Sequence, residues 1–153
     1  MAESEFVYVT YIRTTPEKLW QALTEPEFTR KFWANTVQEC EWTQGATWKI
    51  VVPDGRAADT GEVVEIDRPK KLVLTWRNHL FPEMEAEGFS RMTYVLEAKD
   101  GVVKLTLTHT MEKKDSKTIK AVSNGWPHLL ASLKSLLETG ESLAGTDKWP
   151  EGI

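Results

Sequence analysis

Between residues 37 and 110 the apolar side chains alternate with period two, and from 119 to 137 they recur every three or four residues. The first spacing builds strands and the second builds one amphipathic helix, so any fold must join a sheet to a single long cover. The strand candidates are 37–42, 46–52, 60–66, 72–76, 89–97 and 102–110. Four of the five gaps between them hold turn residues: Gln44-Gly45, Pro53-Asp54-Gly55, Asp67-Arg68-Pro69 and Lys99-Asp100-Gly101. Connections this short predict an antiparallel meander with one covered face. The hairpin at 99–101 presents Met92, Tyr94 and Leu96 on one face of its first arm. Its second arm presents Leu105, Leu107 and His109 likewise. The cover is the stripe Ile119, Val122, Trp126, Leu129, Leu130, Leu133, Leu136 and Leu137, closed by Gly140. The fold class is α+β.

The N-terminal part completes the plan. Residues 6–12, FVYVTYI, read as a strand. After it, Thr14 or Thr15 can cap a helix that Pro16 enters in its first turn, and Thr14 with Glu17 has the spacing of a capping box. Leu19, Trp20 and Leu23 line that helix. A second helix after Glu25-Pro26-Glu27 brings Phe28, Phe32 and Trp33 together. Pro127 complicates the long helix, because an interior proline removes a backbone bond. The regular helix is therefore expected to start around 124–127, after a looser turn from Lys117. Residues 1–143 form one domain and 144–153 a tail.

Composition narrows the partners. The chain's 153 residues suit one domain. Its 19 Lys+Arg against 23 Asp+Glu give a net charge of −4, which argues against nucleic acid or an anionic membrane. One Cys forms no internal disulfide, and no long apolar run marks a leader or a membrane span, so a cytoplasmic protein is expected. Cys40 stands between Glu39 and Glu41, whose charges oppose a thiolate, and reads as a strand residue. No Gly-x-Ser-x-Gly elbow, His-Glu-x-x-His or phosphate-cradling Gly loop occurs. His79, His109 and His128 have no adjacent carboxylates at ligand spacing, so neither metal nor cofactor is expected.

The run from Ile12 to Glu27, IRTTPEKLWQALTEPE, followed by Trp33, resembles the N-terminal signature of the START-like (SRPBCC) superfamily. It is most similar to the branch related to the C-terminal domain of the activator of heat-shock protein 90 ATPase. Three later segments agree: Gly61-Glu62-Val63 through Pro69 with Leu72-Val73-Leu74-Thr75-Trp76, then Leu105-Thr106-Leu107-Thr108-His109, then Gly125-Trp126-Pro127 with Leu130, Leu133 and Leu136-Leu137-Glu138. The resemblance spans residues 5–143. It implies a helix-grip fold, in which a curved antiparallel sheet wraps a long C-terminal helix and leaves a cavity between them. Members of that superfamily include ligand carriers, polyketide cyclases and aromatases, and co-chaperone domains. Fold alone therefore does not select a function.

Given such a cavity, the candidates for its wall are Trp33, Trp48, Trp76, Met92, Tyr94, His109, Trp126 and Leu130. Large rings with one polar edge line small-molecule pockets, and they equally fill plain cores. His109 continues the inward face of Leu105 and Leu107. There it serves either as a hydrogen-bonding ligand contact and general base, or as a core imidazole satisfied by a backbone carbonyl. The stretch 77–88, RNHLFPEMEAEG, is either a lid over the cavity mouth or a solvated connection. Lys113, Lys114, Lys117 and Lys120, diluted by Glu112 and Asp115, read as solvated surface.

The first functional reading is binding of a small hydrophobic or amphipathic molecule in the cavity. The second, implied by the family branch, is a stress-response or co-chaperone protein whose partner is a chaperone. The third is a cyclase- or aromatase-type enzyme with His109 or Tyr94 handling protons, which no inward-facing charged pair supports. A monomer or weak homodimer is expected.

Overall fold

The computed structural model of the chain describes residues 2–153. In chain order the elements are β1 (Ser4–Ile12), α1 (Pro16–Thr24), α2 (Pro26–Phe32), β2 (Val37–Cys40), β3 (Thr47–Val51), β4 (Ala57–Asp67), β5 (Lys71–Asn78), α3 (Pro82–Glu85), β6 (Ser90–Lys99), β7 (Val102–Met111) and α4 (Lys117–Thr139). The seven strands form one antiparallel sheet in the order β1-β7-β6-β5-β4-β3-β2. Five consecutive hairpins make the meander, and β1 closes against β7. With α4 across its covered face, this is the helix-grip arrangement.

Alternation decides which face is covered. Along β7 every second residue from Val103 to Met111 is buried, and along β6 Ser90, Met92, Tyr94 and Leu96 are buried. These side chains meet Trp126, Leu130, Leu133 and Leu136 of α4, with Leu19, Leu23 and Phe32 of α1 and α2 closing one end of the same core. Large rings and branched side chains removed from water supply the main driving force for this packing.

Several local details depart from the sequence expectation. Thr15, one of the two expected caps, caps α1, its hydroxyl accepting from Lys18 N at 3.2 Å, but the Thr14 hydroxyl is buried without a hydrogen-bond partner and makes no capping box with Glu17. β2 stops at Cys40 rather than 42, because Trp42 takes a left-handed φ of 54°. α4 begins at Lys117, not near 124, and runs through Pro127. Ser116 caps it by accepting from Ile119 N at 3.2 Å. Packing of Ile119, Trp126 and Leu130 on the sheet outweighs the ~3 kcal/mol that an interior proline costs. The stretch 77–88 is neither a free lid nor a simple connection: β5 extends through Asn78, and α3 occupies four of its residues.

After α4 the chain turns back on the domain. The Thr146 hydroxyl lies 2.8 Å from that of Ser132, and Ala34 N donates to Thr146 O at 2.6 Å. Among the described residues, no helix is long and apolar enough to cross a membrane.

Candidate functional site

The cavity lies where the N-terminal half of α4 crosses the ends of β4 and β5. Its volume is about 200 Å³. Three indoles dominate the wall: Trp33, Trp76 and Trp126. Trp33 sits at the C-cap of α2, where Ala34 and Asn35 take left-handed φ values of 52° and 57° and turn the chain away. Trp76 is on the inner face of β5, and Trp126 is one turn past Val122 on α4. The Trp33 and Trp76 rings stack at 6.1 Å and 20°, and Trp126 meets them edge-on at 5.5 and 5.6 Å. Val122, Leu129, Ala121 and Gly125 of α4 complete the apolar wall, Thr118 adds one hydroxyl to it, and Met84 of α3 lies beside the mouth.

The polar side of the cavity is Asp59 with Asn78. They face each other across the β4–β5 pair. Trp76 Nε1 and Asn78 Nδ2 both donate to Asp59 Oδ1 at 3.0 Å. No described residue hydrogen-bonds Oδ2. Desolvation raises the Asp59 carboxyl above its ordinary pKa, outweighing those two hydrogen bonds, which favour the charged form. Asn78 has a second role: its Oδ1 accepts from Leu80 N and Phe81 N, each at 3.0 Å, and so holds the start of α3. Arg77 Nε donates to Glu85 O at 2.9 Å and holds its end.

Beside Asp59, His79 lies between a carboxylate and a hydroxyl. Its Nδ1 is 2.7 Å from Glu85 Oε2 and its Nε2 is 2.6 Å from Thr60 Oγ1. The single turn of α3 folds Glu85 back over β5 to reach His79, a contact that spacing along the chain does not announce. At the other side of the mouth Glu87 receives Ser116 Oγ at 2.7 Å, Lys117 N at 2.7 Å and Thr118 N at 3.0 Å. The stretch 77–88 is thus fastened to β4, β5 and α4.

Of the eight residues expected on the wall, Trp33, Trp76 and Trp126 line the cavity. Trp48, Met92, Tyr94, His109 and Leu130 lie behind it in the core, none more than 2 % exposed. Trp48 Nε1 donates to Gln38 Oε1 at 2.8 Å, which fixes that ring under Trp76, 4.5 Å away. The Tyr94 hydroxyl is buried without a partner, and burial pushes its pKa up. His109 is satisfied by side chains rather than by a carbonyl. Trp126 Nε1 donates to its Nδ1 at 3.1 Å, and its Nε2 lies 2.7 Å from Ser90 Oγ, which donates to Trp76 O at 3.1 Å. Burial lowers the pKa of His109 to about 3, so it is a neutral link between α4 and three strands, not a base facing the cavity. Burial likewise is the main reason that the Cys40 thiol is raised, with Glu41 adding to it.

Sequence reasoning missed Asp59 and Asn78, whereas Met84 belongs to the stretch 77–88 expected at the cavity mouth. The alternation of β4 carried the signal for Asp59, but it was readable only with the strand starting at 57.

Residues 13–138 match the family model of Activator of Hsp90 ATPase homolog 1-like protein. Among curated proteins none matches the chain. Solved structures share its fold. The Aha1 dimer from Colwellia psychrerythraea is 20% identical, with 91% of this chain and 99% of that one covered and a TM-score of 0.72. MLL2253 from Mesorhizobium loti is 24% identical, with 88% and 97% covered and a TM-score of 0.74. PFC0360w, an HSP90 activator from Plasmodium falciparum, is 22% identical, with 87% and 95% covered and a TM-score of 0.70.

Proposed function

This chain belongs to the Activator of Hsp90 ATPase homolog 1-like family, and from that premise we propose that it binds a small, ring-bearing, largely apolar molecule in the cavity under α4. The observation that carries this reading is the convergence of Trp33, Trp76 and Trp126 on one open cavity, with few polar groups, chiefly Asp59 and Asn78, on its wall. Apolar walls with a few placed polar groups are what bind small ligands. At about 200 Å³ the cavity is smaller than the ~300–1,000 Å³ of sites for drug-sized molecules, which limits the enclosed part to a single ring or a small bicycle.

The test is denaturing mass spectrometry of organic extracts from the purified protein, paired with thermal shift against a panel of aromatic metabolites and lipids. Co-purification of one compound, or stabilisation that Trp126→Ala abolishes, supports the reading. No extract component and no stabilisation by any panel member would sink it.

A second reading follows from family membership: a chaperone or a second copy of this chain as protein partner. The outer face of β1 exposes Val7, Val9 and Tyr11, each more than 40 % accessible, which gives such a partner an apolar surface. Chemical crosslinking in cells under heat stress checks it, and recovery of neither a chaperone nor a self-crosslink would remove it.

A further inference from the structure

Resting on the ligand-binding reading, we infer that the cavity selects an organic cation: a molecule with one aromatic ring and a protonated amine, its ammonium on Asp59 Oδ2 and its ring against the indoles. Asp59 is the one ionisable side chain among the residues that line the cavity. Its Oδ1 is used by Trp76 Nε1 and Asn78 Nδ2, both neutral donors, so no cation bonds the carboxylate directly; His79, which lies beside it, is itself paired with Glu85. Oδ2 has no hydrogen-bond partner among the described residues, and it is not completely enclosed, so a ligand in the cavity can reach it. A charge partly withdrawn from water, with no cation among the residues that line its cavity, is costly, and a ligand that brings the opposite charge recovers that cost. A neutral ligand leaves it in place, and an anionic one adds like-charge repulsion.

The surrounding groups fit the same ligand. Indole is the aromatic ring with the strongest attraction for cations. Three indoles stand within about 6 Å of one another here, one of them hydrogen-bonded to the carboxylate itself. No Lys or Arg lines the cavity to compete for Asp59. Met84 at the mouth adds a polarizable, adaptable contact for the ring or its substituents.

Three ring compounds of one size separate the possibilities: phenethylammonium, phenethyl alcohol and hydrocinnamate, titrated near neutral pH while the indole N–H resonance of Trp76 is followed by NMR. The expected result is that the ammonium binds about tenfold more tightly than the alcohol, with the carboxylate weakest. In Asp59→Asn, which keeps an oxygen for Trp76 and Asn78, the preference for the ammonium over the alcohol disappears. Equal or tighter binding of the alcohol or the carboxylate by the unaltered protein overturns the inference and leaves ligand binding standing. So does an unchanged preference in the variant. Binding by none of the three overturns it too, and the broader panel above then decides the ligand-binding reading separately.

Discussion

The indole N–H of Trp126 on α4 donates to Nδ1 of His109 on β7 across 3.1 Å, and this bond assigns the protons of the chain behind it. With Nδ1 an acceptor, the neutral ring carries its hydrogen on Nε2 and gives it to Ser90 Oγ, whose own hydrogen goes to Trp76 O. Every donor in the row has an acceptor. A second proton on His109 would face the Trp126 N–H directly, in a site closed to solvent.

The pH dependence of stability follows from that arrangement. His109 has an ordinary pKa of 6.5 and a folded one of about 3, so between those values the unfolded chain binds the extra proton. Stability therefore falls as pH drops through that window, by at most ~1.4 kcal/mol per pH unit from this group. His109→Gln should cost about 2–3 kcal/mol at neutral pH, because a buried bonded group is disrupted. The stability gap between the two proteins should shrink as pH falls from about 6 to 4, where the other titrating groups cancel in the comparison. Urea denaturation across that range measures it, and a constant gap would contradict the neutral-link role.

Tyr94 offers the opposite sign. Its hydroxyl is buried without a partner, so Tyr94→Phe removes no hydrogen bond and relieves a desolvation cost. The variant should be more stable by about 1 kcal/mol, read as a higher denaturation midpoint at unchanged slope. Destabilisation instead would mean that the hydroxyl is bonded in solution.

The parts of this molecule legible in the sequence are those written in one dimension. Alternation through 37–110 and the stripe from Ile119 to Leu137 depend only on each residue's neighbours along the chain, and they yielded the meander and its helical cover. Pro127 misled for the same reason: the local rule against interior proline ignores the packing of Trp126 and Leu130 on the sheet, which carries α4 through it. Alternation also turned His109 inward, but its partners Ser90 and Trp126 are 19 and 17 residues away along the chain and come from other elements. Asp59 was out of reach. Its meaning comes from Asn78, 19 residues on, and from the register that sets the two opposite each other. The pairing of His79 with Glu85 needed the turn of α3, which four residues barely announce.

Gly61 is required by contact rather than by its own dihedral angles. A Cβ built there would lie 1.8 Å from the Thr75 carbonyl oxygen, closer than any relaxed contact, and the obstacle is backbone. Gly61→Ala must push β4 from β5 beside Trp76. It should cost about 3 kcal/mol or more and displace the Trp76 indole resonance. Chemical denaturation with NMR tests both, and a loss below about 1 kcal/mol would show that the strand pair yields easily.

Glu87 gives the last prediction. It receives three hydrogen bonds from the first residues of α4, two of them from backbone N–H groups that no carbonyl within the helix reaches. Desolvation alone would raise its pKa, but the bonds from Ser116, Thr118 and Lys117 prevail and hold it at about 2, against an ordinary 4.5. A carboxylate at a helix N-terminus also meets the positive end of the helix dipole. The folded form therefore prefers the ionised group, and the stabilisation is complete above pH 4.5 and lost as pH falls towards 2. Because the side chain is partly exposed, solvent screens the effect, and Glu87→Gln should cost only about 1 kcal/mol at neutral pH. The two proteins should converge in stability as acid protonates the carboxylate. Thermal melts from neutral pH down to about 2.5 read the convergence. A gap that stays constant would show that packing rather than charge fastens residues 77–88 to the start of α4.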